Sequence, residues 1–155
     1  MSFDQAFDWV VGAEGKYSND PDDPGGETNW GISKRAYPNL DIKNLDKEEA
    51  KKIYYQDYWV LSRAEVLPEK LAIAVFDCAV NQGWHTCALM LQQAAGVVMD
   101  GKIGPITLAK LKRDDILERF LAARAIRYSE TRNFDKFGYG WMNRLFNLHK
   151  FLGEL

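Results

Sequence analysis

Two cysteines in 155 residues are too few for a disulfide framework. Neither Cys78 nor Cys87 has zinc-ligand spacing with His85 or His149, the two histidines of the chain. That leaves two free thiols, or one disulfide that would need an oxidising compartment. No apolar run approaches the ~18 residues of a membrane span. The start, Met1-Ser2-Phe3-Asp4-Gln5, has no basic segment leading into an apolar one, so neither stable membrane insertion nor a signal peptide is expected. An excess of one charge is missing too: 20 basic against 22 acidic side chains give a net charge of −2, which argues against wholesale nucleic-acid binding. Internal repeats and low-complexity tracts are absent.

What is present fits one globular domain over residues 1–155, with 46% hydrophobic and 27% charged residues. The charge divides unevenly, with residues 1–100 net −7 and residues 101–155 net +5. Phe3, Phe7, Val10 and Val11 share a helical face, which predicts a first helix ending near Glu14. From Gly15 to Ile32 turn formers dominate, and large apolar Tyr17 and Trp30 mark an ordered loop or small β-lobe rather than a tether. Asp46 with Glu49 three residues on is a helix-start signature, followed by an apolar face down to Trp59. Pro68 opens a central helix, apolar nearly all round from Leu71 to Val80 and ended by Asn81-Gln82-Gly83. Further helices are predicted over Thr86 to Ala95, from Gly104-Pro105, from Ile116 to about Arg132, and around Trp141, Leu145, Leu148 and Leu152. The fold class is therefore mainly α, with a small irregular or β loop lobe near the N-terminus.

The chemistry concentrates between Glu14 and Ile32, where one carboxylate stands at a helix end and several more in a turn-rich loop. The negative end of the helix dipole disfavours an ionised Glu14, and partial burial would push the same way. A general acid at neutral pH needs such a raised pKa. Loop carboxylates among free backbone N–H groups and water stay ionised more easily, and glycoside hydrolysis uses this asymmetry: one carboxyl gives a proton, the other activates water or stabilises the developing positive charge. Read blandly, the same residues are a solvated helix-end Glu and turn-forming aspartates. An EF-hand register from Asp20 would put Pro24 at its fifth position and Gly31 where a bidentate Glu belongs, so no metal is expected.

Glu14-Gly15-Lys16-Tyr17, followed by the run from Asn19 to Ser33, resembles the signature of glycoside hydrolase family 108, the phage-type N-acetylmuramidases once labelled secretion activators. The family reads E-G-G-Y, and Lys16 stands here in place of the second glycine, a departure that bears on the loop backbone if that glycine has positive φ. The resemblance extends through Phe76–Gly83 and through Asp100–Thr107, the latter similar to the segment regarded as peptidoglycan-binding in these proteins. It implies a lysozyme-like helical domain with a catalytic part over about 1–95 and a wall-binding part over about 96–155.

The resemblance further implies that Glu14 is the catalytic acid. Phage lysozymes more broadly carry an Asp nine residues after the Glu and a Thr about six beyond. Asp23 has that first spacing and Thr28 falls one residue short of the second, while Asp20 is the rival carboxylate. Tyr17 and Trp30 could be sugar-stacking walls or core anchors. Asn81 and Gln82 could bind an N-acetyl group or cap their helix. Asp77, in an apolar run, reads as a paired structural carboxylate, and Asp100 before Gly101 as a turn residue. Arg119, Arg124, Arg127 and Arg132 read as a solvated face with local pairs to Glu118 and Glu130, or as a surface steering the enzyme to an anionic wall.

The expected function is cleavage of the β-1,4 bond between N-acetylmuramic acid and N-acetylglucosamine in peptidoglycan glycan strands, without a cofactor. The family setting suggests a monomeric phage or prophage endolysin, made in the cytoplasm and released to the wall through a holin. Two alternatives stand beside it: a lytic transglycosylase using the same Glu, and a non-catalytic wall-binding or secretion-accessory protein.

Overall fold

The computed structural model describes residues 2–11 and 17–155. Its secondary structure is mainly α, as the sequence pattern predicts, and it falls into two compact units, Met1–Val60 and Leu61–Leu155.

In the first unit, helix α1 (Ser2–Val10) buries Ala6, Phe7 and Val10. Its expected end near Glu14 lies outside the described residues. Two short strands, β1 (Thr28–Asn29) and β2 (Ile32–Ser33), pair antiparallel with Asn29 opposite Ile32. The two-residue connection Trp30-Gly31 has positive φ at both positions, 52° and 74°, the pattern of a type I′ hairpin turn whose twist matches the strands. Asn29 is buried, and its side-chain amide donates to the carbonyls of Ile42 and Leu45 at 3.0 and 3.1 Å. That ties the hairpin to the loop leading into helix α2 (Lys47–Tyr54).

The expected capping box at the start of α2 is formed: Asp46 accepts from the Glu49 N–H, and Glu49 accepts from the Asp46 N–H. The helix continues as a π-helical segment, Tyr55–Val60, which the apolar spacing does not announce. Phe3 meets the edges of Tyr55 and Trp59 at 5.1 and 5.4 Å between ring centroids. The Tyr54 hydroxyl donates to the Trp30 carbonyl at 2.9 Å.

A Cβ on Gly31 would lie 2.6 Å from that hydroxyl, in a backbone conformation L-residues avoid. Gly31→Ala is therefore expected to cost about 1–2 kcal/mol from backbone strain and to break the Tyr54 bond as well. Urea denaturation reads the loss, and an unchanged midpoint would show that the turn can move.

The second unit opens with a short 3-10 turn, Ala64–Val66, and is built on helix α3 (Glu69–Gln82), which buries every residue from Leu71 to Ala79. Helix α4 (Trp84–Ala95) follows after a single residue, Gly83, and ends at Gly96 in the left-handed conformation. Pro105 starts α5 (Pro105–Lys110). Helix α6 (Ile116–Ser129) stops three residues before the expected Arg132. There the Ser129 and Thr131 hydroxyls donate to the last carbonyls, those of Ile126 and Arg127. Helix α7 (Phe134–Gly153) carries Leu145, Leu148 and Leu152 into the core.

The boundary near residue 95 implied by the resemblance lies within this second unit, where α4 packs on both α3 and α6. Asp100 is a turn residue, held with Gly101 by the buried Gln92: the Gln92 amide donates to Asp100 at 2.9 Å and accepts from the Gly101 N–H at 2.8 Å. Cys78 and Cys87 are buried free thiols, and burial pushes the Cys87 thiol up, keeping it neutral. Among the described residues no helix is long and apolar enough to cross a membrane.

Candidate active site

Glu14 lies outside the described residues. Of the loop that follows it, Tyr17, Asp20, Asp23, Thr28 and Trp30 all belong to the first unit. Asp20 and Asp23 are exposed, and each closes an Asx turn with one oxygen. Asp20 accepts from the Asp22 N–H at 2.9 Å, and Asp23 from the Gly25 N–H at 2.8 Å. The Asp23 N–H in turn donates to the Asp20 carbonyl, so the two carboxylates sit on consecutive turns of one loop. Among the described residues, neither carboxylate's second oxygen accepts a further hydrogen bond.

Thr28 is half-buried and fixed on both sides by backbone, bridging Ser18 and pairing with Ser33. Tyr17 is 40% exposed, too open to be a core anchor. Its hydroxyl donates to Glu27 at 2.6 Å, a bond that holds the phenol above its usual pKa. Trp30 is half-buried, with its carbonyl taken by Tyr54.

In the second unit, Asn81 and Gln82 line a polar cleft of about 310 Å³ with Arg127, Tyr128, Thr131 and Trp141. Neither amide caps α3; the Gly83 N–H bonds the Ala79 carbonyl there. The side chains reach across to α6 instead. Tyr128 donates to the Asn81 oxygen, and Arg124 Nε donates to the Gln82 oxygen at 2.8 Å. The Tyr128 ring stacks on Trp141 at 4.9 Å and 17°.

Behind this wall sits Asp77, fully buried. Arg144 grips it with Nε and Nη2, and Arg124 Nη1 lies 2.8 Å from its second oxygen. The Arg124 contact is an ion pair poorly aligned for a hydrogen bond, since Nη1 makes no aligned bond among the described residues. Asp77 is thus the paired carboxylate the sequence suggests. The expected solvated arginine face needs correction: Arg124 is 0% exposed and belongs to the interior, because it falls on the same helical face as Ile116, Phe120 and Tyr128. Arg119 stays exposed, as expected, with its Nε donating to the Ala94 carbonyl at 2.8 Å, and Glu118 faces His149 at 3.3 Å rather than an arginine.

Residues 7–83 match the sequence model of Glycosyl hydrolase 108, and the whole fold is similar to the structure of Brucella abortus SagA. That likeness has a TM-score of 0.85 and 32% identity, and covers 97% of this chain and 93% of that one. The chain belongs to glycoside hydrolase family 108. No curated protein sequence matches it. The family 108 match spans Glu14, the whole carboxylate loop and the end of α3, but stops at Gly83. Tyr128 and Trp141, which help to complete the cleft around Asn81 and Gln82, and the buried Arg124 behind it come from α6 and α7 beyond that match. Their sequence signal is the four-residue spacing of Phe120, Arg124 and Tyr128, which puts a guanidinium on an otherwise apolar face.

Proposed function

We propose that this family 108 glycoside hydrolase is an N-acetylmuramidase, cleaving peptidoglycan between N-acetylmuramic acid and N-acetylglucosamine. Glu14 donates the proton to the leaving oxygen. Asp23, with Asp20 as the rival, holds the attacking water or stabilises the oxocarbenium-like transition state, and Thr28 orients that water or the carboxylate. Tyr17 and Trp30 offer aromatic faces to the sugar rings, and Asn81 and Gln82 offer amides. The observation that carries this reading is the family match over 7–83, the segment that holds the Glu14-Gly15-Lys16-Tyr17 signature and both Asx-turn carboxylates. The biological setting that agrees with it is a monomeric phage or prophage endolysin, reaching the wall through a holin.

Mass spectrometry of fragments from purified peptidoglycan tests the reaction. Reducing muramic acid ends are expected. Anhydromuramic ends, each one water lighter, would make the protein a lytic transglycosylase, and reducing N-acetylglucosamine ends a glucosaminidase.

The two loop carboxylates can be separated cleanly, because an Asn keeps the oxygen that closes each Asx turn while losing the charge. Asp23→Asn is expected to lower turnover by about 10²-fold or more, and Asp20→Asn by clearly less. Rates on both variants, with circular dichroism as the folding control, check this, and a reversed order moves the role to Asp20.

A further inference from the structure

Among the described residues the two most exposed aromatics are Tyr139, at 89%, and Phe146, at 74%, both on the outer face of α7. A patch of apolar surface left in water marks an interaction face. Leu145, Leu148 and Leu152 fill the core from the other side of the helix, so the fold itself does not cover these rings. Beside Phe146 the α6–α7 hairpin holds an open apolar groove of about 310 Å³, walled by Leu121, Ala122 and Ala125 of α6 and by Met142 and Leu145 of α7. Small side chains on α6 make the groove, and a bulky ring stands at its rim.

The same face carries charge in a self-complementary order. Asp135, Tyr139, Phe146 and Lys150 fall within about 60° of the helix circumference. They are also placed symmetrically: Tyr139 and Phe146 lie equally far from the point between Met142 and Asn143, and so do Asp135 and Lys150. Both charged side chains are exposed, and among the described residues neither is in an ion pair. A two-fold axis through that point, with two α7 helices antiparallel, brings each Tyr139 onto the Phe146 of the other copy and each Asp135 onto its Lys150. We propose that this face pairs two copies of the chain through an antiparallel α7–α7 contact, with each groove receiving the Tyr139 ring of the other copy. The stripe is about 22 Å long and the two helices about 20 Å wide, so the pair buries roughly 900 Å² in all, at the small end of specific interfaces. Such a contact is weak: the chain is monomeric when dilute, as in the reading above, and paired when concentrated. An anionic lipid surface fits the stripe less well, because its two ends carry charges of opposite sign. The pairing does not rest on the muramidase reading.

Sedimentation velocity on the full chain, from about 10 µM to about 1 mM, tests it, and a monomer–dimer equilibrium with a Kd on the order of 100 µM is expected. Tyr139→Ala combined with Phe146→Ala, at positions the core does not use, should abolish the dimer over this range. The charges give the sharper readout, with circular dichroism as the folding control. Asp135→Lys sets two lysines against each other at both ends of the contact and should weaken the dimer about tenfold, and Lys150→Asp should do the same with two aspartates. The double exchange restores opposite charges and should recover the dimer. The helix dipole also favours Asp135 at the start of α7 and Lys150 near its end, but on that ground alone the double exchange is worse than either single change. A chain that stays monomeric throughout would overturn the proposal, and anionic phospholipid vesicles bound through the same two rings would then give the face to a membrane. Association that persists without the rings would overturn it too, as would single exchanges without effect or a double exchange that recovers nothing.

Discussion

Glu14→Gln is expected to lower peptidoglycan hydrolysis by about 10²–10⁴-fold while leaving the fold in place, since the amide has the carboxyl's size but no proton to give. Glycoside departure needs protonation of the bridging oxygen as the bond breaks. Without it the leaving alkoxide is too basic for the loop carboxylates to compensate, because in the proposed mechanism they act on the opposite, positively charging side of the reaction. Turbidity loss of purified walls and release of reducing ends both report it. A folded Gln variant with near-normal turnover would remove Glu14 from the mechanism and pass the role of acid to another carboxyl.

The largest effect on stability is expected at Asp77. Its carboxylate and Arg124 are both 0% exposed, and Arg144, partly open to water, closes the other oxygen. Asp77→Ala leaves a buried guanidinium with no counter-charge, and removing one partner of a buried pair costs about 3–5 kcal/mol. Arg144→Ala should cost less, because its side chain is 22% exposed and Arg124 still faces the carboxylate. Arg124→Met falls between, since it leaves Asp77 with the two Arg144 bonds. Urea unfolding followed by circular dichroism ranks the three. A loss below about 1 kcal/mol in Asp77→Ala would mean that water reaches the cavity and solvates the orphaned cation.

Local rules wrote much of this fold openly into the chain. Asp46 and Glu49 announce α2, Gly96 closes α4 and Pro105 opens α5, each through a backbone requirement confined to a few residues. The carboxylate loop was legible for the same reason: Asp20 and Asp23 act on N–H groups two residues away. Arg124 was not, because its charge speaks for solvent while its four-residue spacing from Phe120 and Tyr128 speaks for the core, and only Asp77 from α3 decides between them. Tyr128 and Trp141 acquire their meaning across two helices, which no window of sequence spans. The π-helical turn at Tyr55–Val60 is likewise a compromise with tertiary packing, where Phe3 meets Tyr55 and Trp59.

Gly83 joins α3 to α4 by itself, at φ 88° and ψ 140°. A one-residue joint has no slack, so changes of length here are not absorbed as they are in an open loop. An α-helix turns about 100° per residue. One residue added between Asp77 and Asn81 would therefore swing both amides away from Arg124 and Tyr128, even though every side chain of the original remained. Length variants of this protein should fail at the α3–α4 corner, so that reading frame along α3, as much as residue identity, becomes a quantity selection must preserve.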